Sequence, residues 1–258
     1  MKRYFLFSAV VTALCFAACT HRPHGVLDSS ACLIAIDSTA DDTVDSAYLA
    51  MLKPYKDSLD KEIDVVIGYC PRPLTVGLPE CTMLNWACDA LYETAVRHFT
   101  PKKGSRVSLA TRKVDFTVAN IGGMRSGWNA GDVTLRKVFQ LMPFENRLVV
   151  LTLTGSDVLD LCNVFASQGG QGVSAGLRME FHDSIATKVS LNGKPIVPEA
   201  LYYVATSNYL AEGGDHFEPL TRSIDTYDTG LLIRDLYIEH ILRHKRISAK
   251  VDGRMKRI

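Results

Sequence analysis

The 258-residue chain carries 29 lysines and arginines against 28 aspartates and glutamates, a net charge of +1 with its histidines neutral, and 47% of it is hydrophobic. That balance, with no long run of like charge, excludes a binder of nucleic acid or anionic lipid that works by bulk electrostatics. The apolar content is enough for a packed core in one large domain or two small ones.

Lys2 and Arg3 precede an apolar run from Tyr4 to Ala18, and Phe16-Ala17-Ala18 leads into Cys19. A short positive segment, an apolar stretch too short to span a bilayer with margin, and small residues before a cut describe an export signal. The cysteine after the small pair makes the pattern resemble a bacterial lipoprotein box. Residues 1–18 are therefore expected to be a lipoprotein signal peptide and Cys19 the lipidated residue, with an uncleaved N-terminal anchor as the alternative. Residues 19–30 read as a polar tether, and residues 31–258 as the folded domain. The expected location is the bacterial cell envelope, lipid-anchored at the outer membrane and facing the periplasm. Removing residues 1–18 takes two basic residues and no acid, which leaves 27 against 28 and a net of −1.

Five cysteines follow Cys19, at Cys32, Cys70, Cys81, Cys88 and Cys162. Their number is odd and their spacing matches no disulfide framework or zinc pattern. Cys81 and Cys88 fall in a helical pattern and read as small buried hydrophobes.

Ala31 to Ile36 is a short apolar run expected as a strand, followed by an acidic loop. Val44 to Ile63 has helical spacing, with Ala47, Met51, Leu52, Tyr55 and Leu59 on one side. Asp64 to Gly68 reads as a strand. Thr82 is placed to cap a helix from Met83 to His98. Phe116 to Ala119 is a strand that runs directly into Gly122-Gly123. Val133 to Leu141 is expected to be a short helix, and Arg147 to Thr154 the strongest strand of the chain. Asp157 to Ser167 is the next helix, and Gly169 to Gly172 a flexible loop. Alternating segments near Leu177–Phe181 and Lys188–Leu191 flank turns, with Asn192-Gly193 as a hairpin signal. Leu201 to Thr206 is a further strand. An amphipathic helix is expected from Thr229 to His244, then a strand from Arg254 to Ile258. Strands and helices are interleaved and several turns are of hairpin length, so the class is α+β, a mixed sheet with helices, in one domain.

Two glycine-bearing loops carry the chemistry. The first holds Asn120, Gly122, Gly123 and Arg125, and leads on to the turn Pro143-Phe144-Glu145-Asn146. The second runs Asn208-Tyr209-Leu210-Ala211-Glu212-Gly213-Gly214-Asp215. A glycine pair lets the backbone approach a ligand closely, and Arg125 offers a planar fork to a phosphate or ribose oxygen. Asn120 can both donate to and accept from a base edge. Taken singly, these features also describe a tight turn with a solvated arginine, a core phenylalanine and a turn aspartate. As a pair, Phe144 and Tyr209 can hold a flat base between two faces, each contributing roughly 1–3 kcal/mol of stacking. Asp215 could accept both hydroxyls of a ribose.

The ordered set of motifs is more specific than any member of it. It comprises Asn120–Arg125, Gly131–Thr134, Pro143–Asn146, Leu153–Gly155, Asn208–Ala211 and Gly213–Phe217. From about Val44 onward the chain resembles the C-terminal, substrate-binding domain of the 5′-nucleotidase / UDP-sugar hydrolase / 2′,3′-cyclic phosphodiesterase family. That resemblance implies a four-layer α/β/β/α domain. It implies stacking of the base by Phe144 and Tyr209, base contacts from Asn120, Gly123 and Asn146, ribose binding by Asp215, and Arg125 facing ribose and phosphate. The ligand implied is an adenosine- or AMP-like nucleoside or nucleotide. Two departures stand out. Ile121 occupies a usual glycine position, and Val76-Gly77-Leu78-Pro79 lacks the arginine that usually precedes Glu80, none being nearer than Arg72.

The family's hydrolysis uses two divalent metals on a separate domain with Asp-x-His, Asn-His-Asp/Glu and Gly-His-x-His motifs. This sequence contains none of them, and no catalytic residue, metal ligand or cofactor is assigned to the chain itself. Metals are expected only through a separately encoded metallophosphoesterase. His240 and His244 lie four apart on a helix, and without a third ligand, Glu239 pointing elsewhere, they read as a solvated helix end. No G-x-S-x-G elbow supports serine catalysis. The expected function is the substrate clamp of a 5′-nucleotidase-type phosphohydrolase; the alternative is a non-catalytic nucleoside-binding lipoprotein for capture or delivery.

Overall fold

The computed structural model describes residues 29–33, 45–99 and 114–258. Residues 1–18, expected as a signal peptide, Cys19 and most of the expected tether lie outside the described residues. So does the second half of the run expected as a strand from Ala31; Ala31, Cys32 and Leu33 are exposed and irregular. The chain divides at Lys53/Pro54 into two units. The first contributes those three residues, the two before them, and the start of helix α1 (Ser46–Ile63). Within the second unit, α1 buries no residue, and Tyr55 and Leu59 of its apolar side are exposed. Its far end is held by charge: the Arg136 guanidinium bonds both Asp60 and Asp64.

A five-stranded sheet is the centre of the second unit, in the order β10 (Asp225–Leu232), β4 (Arg147–Thr154), β9 (Leu201–Ser207), β2 (Phe116–Ala119), β5 (Gly172–Val173). Strand β4 shows how it is packed. Leu148 and Val150 belong to one core, while Val149, Leu151 and Leu153 belong to the other, as the two-residue alternation of a strand buried on both faces requires. The first core is covered by α2 (Thr82–Phe99) and α6 (Ile233–His244), through Leu84, Trp86, Leu91, Leu236, Tyr237 and Ile241. The second is shared with α4 (Gly155–Ser167) and with a four-stranded sheet, β11 (Met255–Arg257), β6 (Leu177–His182), β7 (Ile185–Leu191), β8 (Lys194–Pro195). Phe165, Phe181 and Phe217 are fully enclosed there. A small sheet pairs β1 (Val66–Cys70) with β3 (Gly131–Thr134), and α3 (Leu135–Leu141) follows β3 directly. This is the mixed α/β class that the sequence implied.

Hydroxyl residues set three of the helix starts, each accepting an otherwise unpaired backbone N–H. Thr134 caps α3, Thr154 caps α4, and Ser207 caps the short α5 (Asn208–Ala211). Thr82 begins α2, and its hydroxyl accepts the N–H of Thr75. Several boundaries move: the strand expected at Asp64–Gly68 runs from Val66 to Cys70, and two other shifts have a plain cause. Val133 and Thr134 are strand, not helix, because they pair with β1. Thr229 to Leu232 close strand β10, so the last helix starts at Ile233. Cys70, Cys81, Cys88 and Cys162 are buried free thiols.

The motif at Glu80–Asn85 has a structural task. The Glu80 carboxylate accepts the backbone N–H groups of Asp252, Gly253 and Arg254 at 2.8, 2.9 and 3.0 Å. Asn85 donates to Glu80 Oε1 and to the Lys250 carbonyl. Arg254 is buried against Asp89. Together they dock the segment before β11 onto α2.

Candidate functional site

The sheet topology brings the two glycine loops together. Strands β2 and β9 are parallel neighbours, with Phe116 opposite Val204 and Thr117 opposite Ala205. The turn after β2 and the turn after β9 therefore leave from the same end of the sheet. Strand β4 runs antiparallel to β9, with Leu148 opposite Ser207, so the Phe144 loop that enters β4 meets them there. Ligand sites commonly form at the C-terminal ends of adjacent parallel strands.

The resulting cleft has a volume of about 290 Å³ and is lined by Asn120, Gly122, Gly123, Arg125, Phe144, Asn146, Tyr209 and Asp215. These are the seven residues expected from the sequence, joined by Gly122. Phe144 and Tyr209 are large aromatic side chains left 39% and 43% exposed, which excludes a core role for either.

Asp215 is the hub. Tyr209 donates its hydroxyl to Asp215 Oδ1 at 2.7 Å, and Asn120 donates Nδ2 to Asp215 Oδ2. Asp215 adopts left-handed backbone angles, φ 53° and ψ 30°, a conformation that aspartate tolerates better than most residues. Gly214 before it is required: a Cβ there would stand 2.4 Å from the Tyr209 ring. A Cβ on Gly123 would stand 2.8 Å from Asn120 Oδ1. Both glycines leave room for the side chains that build the hub. The hydrogen bond to Asp215 raises the pKa of the Tyr209 phenol above its ordinary value.

Arg125 anchors its backbone N–H on the Leu141 carbonyl at 2.9 Å, and its Nη1 reaches the Gly122 carbonyl at 3.3 Å. The rest of the exposed guanidinium can meet an anion at the cleft edge. Asn146 offers its carbonyl to the Ile233 N–H at 2.9 Å, which seats the Phe144 loop on the first turn of α6.

Three further residues position the site, and sequence reading missed their roles. Asn208 accepts the Arg147 N–H at 2.7 Å and so ties the start of β4 to the start of α5. Gln171 accepts the Ile121 N–H at 2.8 Å and donates to Gln168 Oε1, while Gln168 donates to the Asp215 carbonyl at 2.8 Å. This amide relay joins the two glycine loops from beneath. Its signal was present as two glutamines around a Gly-Gly pair, a stretch that otherwise reads as a flexible loop.

Comparison with known proteins agrees with the geometry. The family model for the 5′-nucleotidase C-terminal domain matches residues 66–222, more than half of the chain. The 5′-nucleotidase of Vibrio cholerae serotype O1 is 25% identical over 211 residues, which cover 79% of this chain and 35% of that protein. The trifunctional nucleotide phosphoesterase YfkN of Bacillus subtilis is 31% identical over 228 residues, 80% of this chain and 15% of that protein. Among solved structures, the 5′-nucleotidase precursor of Thermus thermophilus aligns with a TM-score of 0.67 and 25% identity, over 82% of this chain and 42% of that one. A mixed α/β domain with a paired-aromatic cleft is thus the class in hand. The chain belongs to the 5′-nucleotidase C-terminal domain family. It spans about a third or less of the length of these curated relatives.

Proposed function

We propose that the chain is the nucleoside- and nucleotide-binding clamp of a 5′-nucleotidase-type phosphohydrolase. The observation that carries this reading is the convergence of Phe144, Tyr209, Asp215 and Arg125 on one cleft. A base between the two rings, a ribose at Asp215 and a phosphate at Arg125 would use each side chain for the chemistry it offers. The names of the relatives, 5′-nucleotidase and nucleotide phosphoesterase, support the substrate class. Hydrolysis itself would come from two divalent metals on a separately encoded metallophosphoesterase, and Cys19 would tether the clamp by lipid to the outer membrane, facing the periplasm.

A second reading, a nucleoside-binding lipoprotein without a catalytic partner, draws on one observation. Val76-Gly77-Leu78-Pro79 carries no arginine where the family usually has one before Glu80, the nearest being Arg72.

Calorimetric titration of the purified chain with adenosine and then AMP tests both. Equal or tighter binding of AMP, lost in Phe144→Ala and in Tyr209→Ala, supports the phosphohydrolase clamp. Adenosine binding with AMP excluded supports the carrier. Binding of neither ligand overturns the clamp. Retention of Cys19→Ala in the membrane fraction would overturn the lipid tether.

A further inference from the structure

Away from the cleft, α2 and α6 pack side by side and bring three potential ligands together: Glu93 on α2, with His240 and His244 one turn apart on α6. One ligand atom from each lies within 4.8 Å of the others. His244 Nε2 is 2.9 Å from Glu93 Oε1, and His240 Nδ1 is 3.6 Å from Glu93 Oε2. The two imidazole rings lie with their centroids 4.4 Å apart, tilted by 35° to one another. His240 Nδ1 is enclosed by protein and has no hydrogen-bond partner. An enclosed polar atom left unpaired calls for an explanation, and this one faces the Glu93 carboxylate.

An unpaired imidazole nitrogen, a second imidazole and a carboxylate gathered at one point are groups that bind metals once they give up their protons.

We propose that Glu93, His240 and His244 form a binding site for a borderline divalent transition-metal ion, with Zn²⁺ the best match, that cross-links α2 to α6. Two imidazoles and a carboxylate at one point are the ligand set of a three-protein-ligand zinc site, with water in the fourth position. Glu93 and His244 are about 40% exposed, which gives that water access. Mg²⁺ and Ca²⁺ prefer oxygen ligands throughout and fit this set poorly. Binding exchanges the Glu93–His244 hydrogen bond for two metal bonds: His244 Nε2 releases to solvent the proton it donates to the carboxylate, and the neutral ring carries its proton on Nδ1. Arg243 opposes the ion, its Nη1 lying 3.8 Å from Glu93 Oε1.

The test uses the full chain, purified without a histidine tag and stripped with chelator. Zn²⁺ is expected to raise its Tm, and Co²⁺ to give the visible absorption of a low-symmetry nitrogen–oxygen site, while Mg²⁺ does neither. His244→Ala and Glu93→Gln are expected to weaken binding by more than about ten-fold, no less than the loss of an outer-shell partner does. Arg243→Ala, which leaves all three ligands in place, is expected to tighten it. His182→Ala, at an exposed histidine beside Asp183, leaves it unchanged. No Zn²⁺-dependent rise in Tm overturns the site, as does wild-type affinity in a folded His244→Ala. Should His244→Ala or Glu93→Gln fail to fold, unchanged affinity in Arg243→Ala overturns it instead.

Discussion

Tyr209 donates its hydroxyl to Asp215 at 2.7 Å while its ring lies over Gly214. Asn120 takes the other carboxylate oxygen. Both oxygens of the group best suited to hold a ribose are therefore engaged by the protein itself. The tyrosine hydroxyl holds the carboxylate oxygen that the proposed ribose would take.

Tyr209→Phe keeps the aromatic face and releases Asp215 Oδ1. If a ribose hydroxyl replaces the phenol, the variant should bind adenosine a few-fold more tightly, corresponding to about 0.5–1.5 kcal/mol for one exchanged hydrogen bond. Binding of 2′,3′-dideoxyadenosine should not change. Calorimetry with the two ligands checks this. Weaker adenosine binding by the variant would mean instead that the hydroxyl holds the ring in place for stacking.

The same contact has an alkaline signature. The hydrogen bond to Asp215 raises the Tyr209 phenol above its ordinary value, which is about 10. A group raised on folding adds stability that is fully present below its unfolded value and is lost as pH climbs through its folded value. Tm should therefore fall more steeply above about pH 10 in the wild type than in Tyr209→Phe. The tyrosinate absorbance step missing from the variant should lie at higher pH than that of an exposed tyrosine. Coincidence of the two melting profiles would dismiss the contact in solution.

Gly214→Ala would place a Cβ 2.4 to 2.7 Å from carbons of the Tyr209 ring. The ring has to move, and the loop is at the surface, so the fold should tolerate the change better than the ligand does. Affinity should drop by the stacking of one face, about 1–3 kcal/mol, with Tm nearly unchanged. A variant that binds normally would show that Tyr209 does not stack in the position seen here.

Glu80→Ala removes the acceptor for three consecutive backbone N–H groups and for Asn85. Hydrogen bonds to a charged group contribute about 1.5–3 kcal/mol each and do not add fully, so a loss of about 3 kcal/mol is expected. That corresponds to a fall in Tm of roughly 6–12 °C for a domain of this size. Hydrogen exchange should quicken first at residues 250–257. Unchanged protection there would mean that the segment is held by Arg254 and Asp89 alone.

Legibility in the sequence followed local chemistry. Strand β4 was plain because RLVVLTLT is dense in β-branched and apolar residues and is buried on both faces. Strand β10 was not: Asp225-Thr-Tyr-Asp-Thr-Gly carries two acids and a glycine and forms the sheet's edge, where one neighbour, β4, suffices and charged residues are at home. Its last residues were absorbed into the apolar periodicity of α6. The cleft residues were readable because each sits in a motif of glycines and aromatics. Glu93 lies 151 residues before His244, on the polar side of another helix, and only packing of α2 against α6 brings it there. Gln168 and Gln171 likewise became legible once the loops they join were side by side.

The order of the strands gives the domain a modular grammar. Strands β2, β4 and β9 carry the clamp, and residues 155–200, between β4 and β9, build α4 and β5 to β8. That intervening stretch could be exchanged as a cassette among relatives if a replacement supplied strands to pair with β2 and β11 and met two further demands. It would have to cover Val149, Leu151 and Leu153 with an apolar face. It would also have to present two amides where Gln168 and Gln171 now stand, since these transmit the position of one loop to the other. A chimera that meets all but the last demand should fold with its two halves of the clamp out of register.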